Sequence, residues 1–363
     1  MGYASSMSFQ ESITFDNLYK GLKASCRNVR WKDTVVGYEA NGLRNTYLLR
    51  QDLVKENYKI QPYQKFKIYE PKERDIMATR IRDRQFQHAL TDNVLYEDFT
   101  RSFIRDNCAC QKGRGIDDCL HRLTAHMRRK LVKTGMGGWV LKCDIRHYFQ
   151  SIPHEVAKQV TAKRVKDERA RQEVYRIIDS FGGDCGLGLG SQISQLIALA
   201  VLDDMDHLIK ERLHVKYYVR YMDDFVLIHE NKEYLKYCRQ VITEELTKLG
   251  LKLNDKSTMY PFKQGIKMLK WHFVPTRTGR IVKKMDRKKI RKQKKRIRRL
   301  YQREVAGKTP EGTANQSMQS WMANARRGDT FRQRKEMARY YFKITGGISY
   351  HGYCNCRAKA CPA

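Results

Sequence analysis

Tyr217-Tyr218-Val219-Arg220-Tyr221-Met222-Asp223-Asp224-Phe225-Val226-Leu227-Ile228 decides the reading of this chain. Aromatic and β-branched residues lead up to two adjacent acids and away from them again. Such runs favour strands, and the break predicts a tight hairpin with Asp223 and Asp224 at its tip. Holding two neighbouring carboxylates against apolar strands costs several kcal/mol unless cations compensate. Mg2+ is the chemical match, because it takes one or two carboxylates together with substrate phosphates. Asp-Asp also occurs in ordinary solvated turns, but the close apolar flanks argue against that here.

A second acid lies in matching context. Trp139-Val140-Leu141-Lys142-Cys143-Asp144-Ile145 reads as an apolar strand ending in Asp, with Tyr148-Phe149 following. The plain alternative is a strand-end Asp that caps the next segment. A strand Asp with a hairpin Asp-Asp could instead hold two metals, one activating an attacking hydroxyl and one stabilising a leaving pyrophosphate. The two motifs together resemble the palm of reverse transcriptases. Asp144 falls where that family has its first catalytic Asp, and Tyr221-Met222-Asp223-Asp224 matches its hairpin box.

Charge points the same way. The 363 residues carry 72 Lys+Arg against 39 Asp+Glu, a formal net charge of +33. Such an excess implies a polyanionic partner, nucleic acid before a membrane surface. No run of roughly 18 apolar residues is present, so no spanning helix is expected. No secretory signal opens the chain. Met1-Gly2-Tyr3-Ala4-Ser5-Ser6 fits the loose myristoylation pattern only by accident on this reading. Ten cysteines, several in apolar runs such as Cys143 and Cys238, suit reduced thiols and a cytoplasmic location. Cys354, Cys356 and Cys361 with His351 lack a standard zinc spacing, so a frayed tail is expected there rather than zinc.

Other blocks extend the resemblance. Leu189-Gly190, three residues, then Ser194-Gln195 stands where most reverse transcriptases carry a Pro-Gln-Gly box. This variant resembles the reverse transcriptases of diversity-generating retroelements, of bacterial or phage type and group II intron-like lineage. Its plain reading is a helix N-terminus capped by Ser. Phe66-Lys67-Ile68-Tyr69 and Lys72-Glu73-Arg74-Asp75-Ile76 read as a hairpin broken by Pro71. A helix opening at Arg80 follows. Gly113 and Gly115 flank Arg114 just before a helix from Ile116 to Lys133, where amides and the helix dipole could face a phosphate. Glu233 to Leu249 reads as an amphipathic helix with Gly250 beyond its end.

The C-terminal third is basic. Lys283 to Arg303 is expected to be one helix with an apolar seam of Ile290, Ile297 and Leu300 and a broad basic face. A helix that basic repels itself unless it lies on phosphates; a disordered basic tail or a solvated helix is the alternative. Gly307 to Thr313 reads as a linker, and Ser317 to Tyr341 as a further helix.

The resemblance implies an α+β right-hand polymerase of fingers, palm and thumb, with an antiparallel palm sheet and a helical thumb. Its expected parts are an N-terminal helical extension (1–60), fingers (61–137), palm (138–160), fingers and palm helices (161–213), palm with primer grip (214–278), basic thumb (279–345) and Cys-containing tail (346–363). It implies RNA-directed DNA synthesis. Asp144, Asp223, Asp224 and the Ile145 carbonyl would hold two Mg2+, with Mn2+ as a substitute, and Lys256 would protonate pyrophosphate. Lys72, Arg74, Phe149 and Gln195 would bind the dNTP, with Phe149 excluding the 2′ hydroxyl. Template or primer would meet Arg80, Arg82, Gly113, Arg114, Ser194, Tyr221, Trp271, Lys288, Arg291, Lys295 and Arg298. The implied partners are template RNA, the RNA/cDNA duplex, dNTPs and a small basic accessory protein, with no membrane. No ribonuclease H or endonuclease pattern is read, which argues against a self-sufficient mobile element. Two alternatives stay open: a defence-associated enzyme using a dedicated non-coding RNA, and an inactive RNA-binding protein on the same fold.

Overall fold

Runs of β-branched and aromatic residues become strands, which we number in chain order. They are β1 (Gln64–Ile68), β2 (Arg74–Ala78), β3 (Trp139–Asp144), β4 (Tyr217–Tyr221), β5 (Asp224–His229), β6 (Thr258–Pro261), β7 (Ile266–Met268), β8 (Trp271–Pro275) and β9 (Ile281–Met285). The structure is a computed structural model and describes residues 6–69 and 73–347. Lys72 and the Cys354, Cys356, Cys361 and His351 group lie outside the described residues. The strands form a β1-β2 hairpin, a sheet of order β4-β5-β3-β6 and a sheet of order β7-β8-β9. The pairs β1/β2, β4/β5, β7/β8 and β8/β9 are antiparallel. This mixed helix-and-sheet fold is the class expected from the sequence.

The chain divides into two units, Met1–Cys119 with Leu141–Met259, and Leu120–Val140 with Tyr260–Ala363. In the first, the helix Gln192–Val201 is apolar on nearly every side and runs through the core, with Ile193, Leu196, Ile197 and Leu199 buried. The helices Phe15–Cys26 and Ile81–Leu90 meet at Gly21, where a Cβ would lie only 2.4 Å from the Gln85 carbonyl oxygen. Gln85 then stitches the crossing, donating to the Leu18 carbonyl at 3.1 Å and to Thr46 Oγ1 at 2.8 Å. Within the helical extension expected over 1–60, helices run from Phe9 to Val54.

The second unit corrects two expectations. The basic helix spans Arg287–Val305, not Lys283 to Arg303. Lys283 and Lys284 belong to β9, where they pair with Phe273 and His272, and Asp286 caps the helix by accepting from the Lys288 amide at 2.8 Å. The helix expected from Ser317 to Tyr341 is two, Thr313–Ala325 and Phe331–Ile344. The break holds Gly328, packed so tightly under Trp271 that a Cβ would sit 2.1 Å from the ring. The predicted apolar seam is present: Ile290 and Ile297 are buried with Met318, Trp321, Met322 and Met337, and Leu300 packs on that cluster.

Candidate active site

The hairpin forms as read. Tyr221 and Asp224 are the last paired residues of β4 and β5, which leaves Met222 and Asp223 as a two-residue turn. Met222 sits at φ 56°, a left-handed conformation that costs a non-glycine residue about 1 kcal/mol and persists where the surroundings enforce it. The enforcing group is Arg220, which is fully buried. Its guanidinium donates to Asp206 Oδ1 at 2.7 Å and Oδ2 at 2.5 Å, to the Met222 carbonyl at 3.1 Å and to the Leu199 carbonyl at 3.2 Å. Tyr218, two residues back on the same face of β4, donates to the same Asp206 carboxylate at 2.5 Å. The turn is thus anchored to the core helix from below.

β3 lies beside β5 and delivers Asp144 next to that turn. The loop after Gly250 holds it. Asn254 Nδ2 donates to Asp144 Oδ2 at 2.9 Å, and the Asn254 amide donates to the Asp144 carbonyl at 2.7 Å. Ser257 Oγ accepts from the Asp144 amide at 3.2 Å. Ile145, buried, bridges Leu253 in antiparallel fashion. Lys256 is exposed on this loop, its amide donating to Asn254 Oδ1 at 3.1 Å.

Burial pushes the Asp224 carboxyl up to about 6, and the charges of Asp144 and Asp223 add to the rise, while Lys142 opposes it. That mutual repulsion places the three acids within electrostatic reach of one another. Lys142 Nζ stands 3.3 Å from Asp224 Oδ1, a buried oxygen whose partner is this ammonium. All-carboxylate donors suit a hard divalent ion. Among the described residues, however, no three His, Cys, Asp or Glu side chains are gathered into a metal-holding cluster as they stand. An ammonium, and not a third acid, is what meets Asp224.

The expected nucleotide residues are dispersed around these strands. Phe149 is half-buried in a short helix, Tyr148–Ser151, with its ring edge-on to Tyr148 at 5.8 Å. Its carbonyl accepts from the Leu187 amide at 2.7 Å, and the Gly186 amide donates to Ile152 at 2.8 Å, so the glycine block is tied to the segment after Asp144. Gln195 is half-buried near the start of its helix, and Ser194 is fully buried. Ser191, not Ser194, caps that helix. Arg74 is exposed on β2, paired with Ile68.

Several expected template contacts have internal partners. Arg82 pairs with Asp52 and lies over the Tyr58 ring at 5.1 Å. Arg114 donates to the Ile104 and Asn107 carbonyls at 3.0 and 3.3 Å, which shapes its own loop, with Gly113 at φ 72°. Arg80 is exposed and donates to the Pro62 carbonyl at 3.3 Å. Tyr221 is half-buried at the end of β4. In the second unit Trp271 is buried over Gly328, whereas Lys288, Arg291, Lys295 and Arg298 are exposed along one side of the basic helix. Sequence reasoning assigned no role to Asn254 or Lys142. The i, i+2 spacing of Lys142 from Asp144 signals a shared face; nothing local signals Asn254.

A search of curated proteins finds no match. Among solved structures, telomerase from Candida albicans in complex with a TWJ fragment of telomeric RNA is similar at 13% identity and a TM-score of 0.47, over 80% of this chain and 56% of that one. Apo telomerase from Candida tropicalis is similar at 12% identity and a TM-score of 0.48, over 79% and 62%. The chain thus spans less than two thirds of either telomerase chain. The family model described as reverse transcriptase (RNA-dependent DNA polymerase) matches residues 64–273, more than half of the sequence and all of the β3–β5 site. The chain belongs to the reverse transcriptase family.

Proposed function

We propose that this chain is an RNA-directed DNA polymerase that copies a template RNA into cDNA within a diversity-generating retroelement. The observation that carries the chemistry is the set of Asp144 and Asp224 on adjoining strands with Asp223 in the hairpin turn; burial raises Asp224 to about 6 and the charges of the other two acids add to the rise. Two divalent ions bound there would supply charge neutralisation at the α-phosphate and activation of the primer hydroxyl. The chain's own residues do the positioning. Asn254 and Ser257 fix Asp144, and Arg220 fixes the turn that carries Asp223. Lys256, exposed two residues after Asn254, would give a proton to pyrophosphate. The Phe149 ring is the group that would exclude a 2′ hydroxyl. Arg74 and Lys72 on the fingers would meet the triphosphate.

Duplex binding falls to the basic helix. Lys288, Arg291, Lys295 and Arg298 recur on one exposed side, the pattern expected of contacts to successive phosphates. The retroelement assignment rests on the Leu189-Gly190 and Ser194-Gln195 variant. A small basic accessory protein would share the RNA. The test is sequencing of RNA and cDNA captured on the protein expressed from its native locus. A cDNA copied from a repeat beside a variable gene, changed at adenines, supports diversification. A cDNA from a structured non-coding RNA without such changes transfers the enzyme to defence. RNA with no cDNA, even after dNTPs and Mg2+ are added, overturns the polymerase reading in favour of an RNA-binding protein.

A further inference from the structure

Lys142 is the one residue at the carboxylate site whose presence the polymerase chemistry does not call for. It precedes Asp144 by two positions on β3, so both side chains share a face. The neighbouring strand β5 opens with Asp224. The Lys142 ammonium stands 3.3 Å from Asp224 Oδ1, with the two side chains only 27% and 24% exposed. Partly burying an ammonium has a desolvation cost that a solvated lysine avoids, so its place needs an offsetting anion. The anion is Asp224 Oδ1, and the Lys142 ammonium is the cation that meets it. A divalent ion held by Asp144 and the hairpin acids would draw on the same Asp224 carboxylate.

We propose that Lys142 is a resident counter-ion of the Asp224 carboxylate and competes with the divalent ion for it. This rests on the two-metal reading of the site. A lysine suits the role because its charge sits on a flexible four-carbon stem that can swing away, which a planar guanidinium in a fork geometry does less readily. Competition makes metal binding to the free enzyme weak. The phosphates of an arriving nucleotide add ligands to the ion, so metal and nucleotide binding reinforce each other.

The test is a Mn2+ titration of the full chain without nucleic acid, with free ion followed by electron paramagnetic resonance. Lys142→Met should bind Mn2+ about tenfold more tightly than wild type, the scale on which a close opposite charge alters a carboxylate's affinity for a cation. Lys142→Arg should stay near wild type. Equal or weaker binding by Lys142→Met overturns the proposal. Asp224→Asn is the control for the reading beneath it: if that variant keeps wild-type Mn2+ stoichiometry and Kd, the carboxylates are not the metal site at all. A measurement on the wild-type protein stands beside these should Lys142→Met fail to fold. Acetylation of Lys142, read by peptide mass spectrometry, should rise severalfold as Mn2+ saturates, while exposed Lys216 stays constant. Unchanged Lys142 labelling at saturation contradicts displacement.

Discussion

Asn254 Nδ2 donates to Asp144 Oδ2 at 2.9 Å across 110 positions of sequence, and the Asn254 amide donates to the Asp144 carbonyl at 2.7 Å. One residue therefore fixes both the backbone and the carboxylate of the strand acid. A hydrogen bond to a charged group contributes about 1.5–3 kcal/mol, which in a rate is roughly ten- to a hundredfold. Asn254→Ala should lower kcat by that factor with little change in KM for dNTP. Steady-state kinetics check it. A lowered melting temperature with unchanged kcat would reduce Asn254 to a fold-stabilising residue.

Asp206 receives Arg220 and Tyr218 with no solvent access to any of the three side chains. Removing one partner of such a pair leaves a buried charge and costs about 3–5 kcal/mol. Asp206→Ala should lose that much in urea unfolding, and adding Arg220→Met should recover part of it. Should Asp206→Ala lose under about 1 kcal/mol, as exposed pairs do, the anchoring role assigned to Arg220 is wrong.

Asp224 carries the pH dependence. Its carboxyl titrates at 3.8 as a free group and at about 6 in the folded, metal-free chain, raised by burial and by its acidic neighbours. The folded state therefore binds more protons between those values. The stability tied to this group is fully present below 3.8 and is lost as pH rises through about 6. In chelator at neutral pH, Asp224→Asn should raise unfolding stability by up to about 3 kcal/mol and flatten the slope through that window. A variant less stable than wild type at neutral pH would contradict it.

Phe149 lies half-buried beside Tyr148 and behind the glycine block. If its ring closes the space around the sugar, Phe149→Ala should admit ribonucleotides in an incorporation assay. Unchanged sugar selectivity would remove Phe149 from that role.

The hairpin, the strand ending in Asp144 and the β1/β2 pair were legible because period-two apolar patterns and turn residues are local signals. The seam of Ile290, Ile297 and Leu300 was legible for the same reason at helical period. What misled the reading was charge. Lys283 and Lys284 look like the start of the basic helix, yet their pairing with β8 puts them in a strand, and the true start is the Asp286 cap. The helix break falls at Gly328-Asp329, a turn pair that the reading passed over; what is tertiary there is the packing of Gly328 under Trp271. Asn254 was hidden for a like reason, since its partner is Asp144. Arg82 and Arg114 were read as nucleic-acid contacts from the family resemblance, and each also has an internal partner.

The central claim is RNA-templated DNA synthesis at Asp144, Asp223 and Asp224. Primer extension by the purified chain on an RNA template, with dNTPs and Mg2+, tests it most directly. Wild type should make labelled DNA. Chelation or Asp223→Ala should abolish it, while RNA retention on a filter stays at the wild-type level, because that change removes a carboxylate and no phosphate contact. Extension that persists in Asp223→Ala, or none by the wild-type chain on any RNA, would contradict the account.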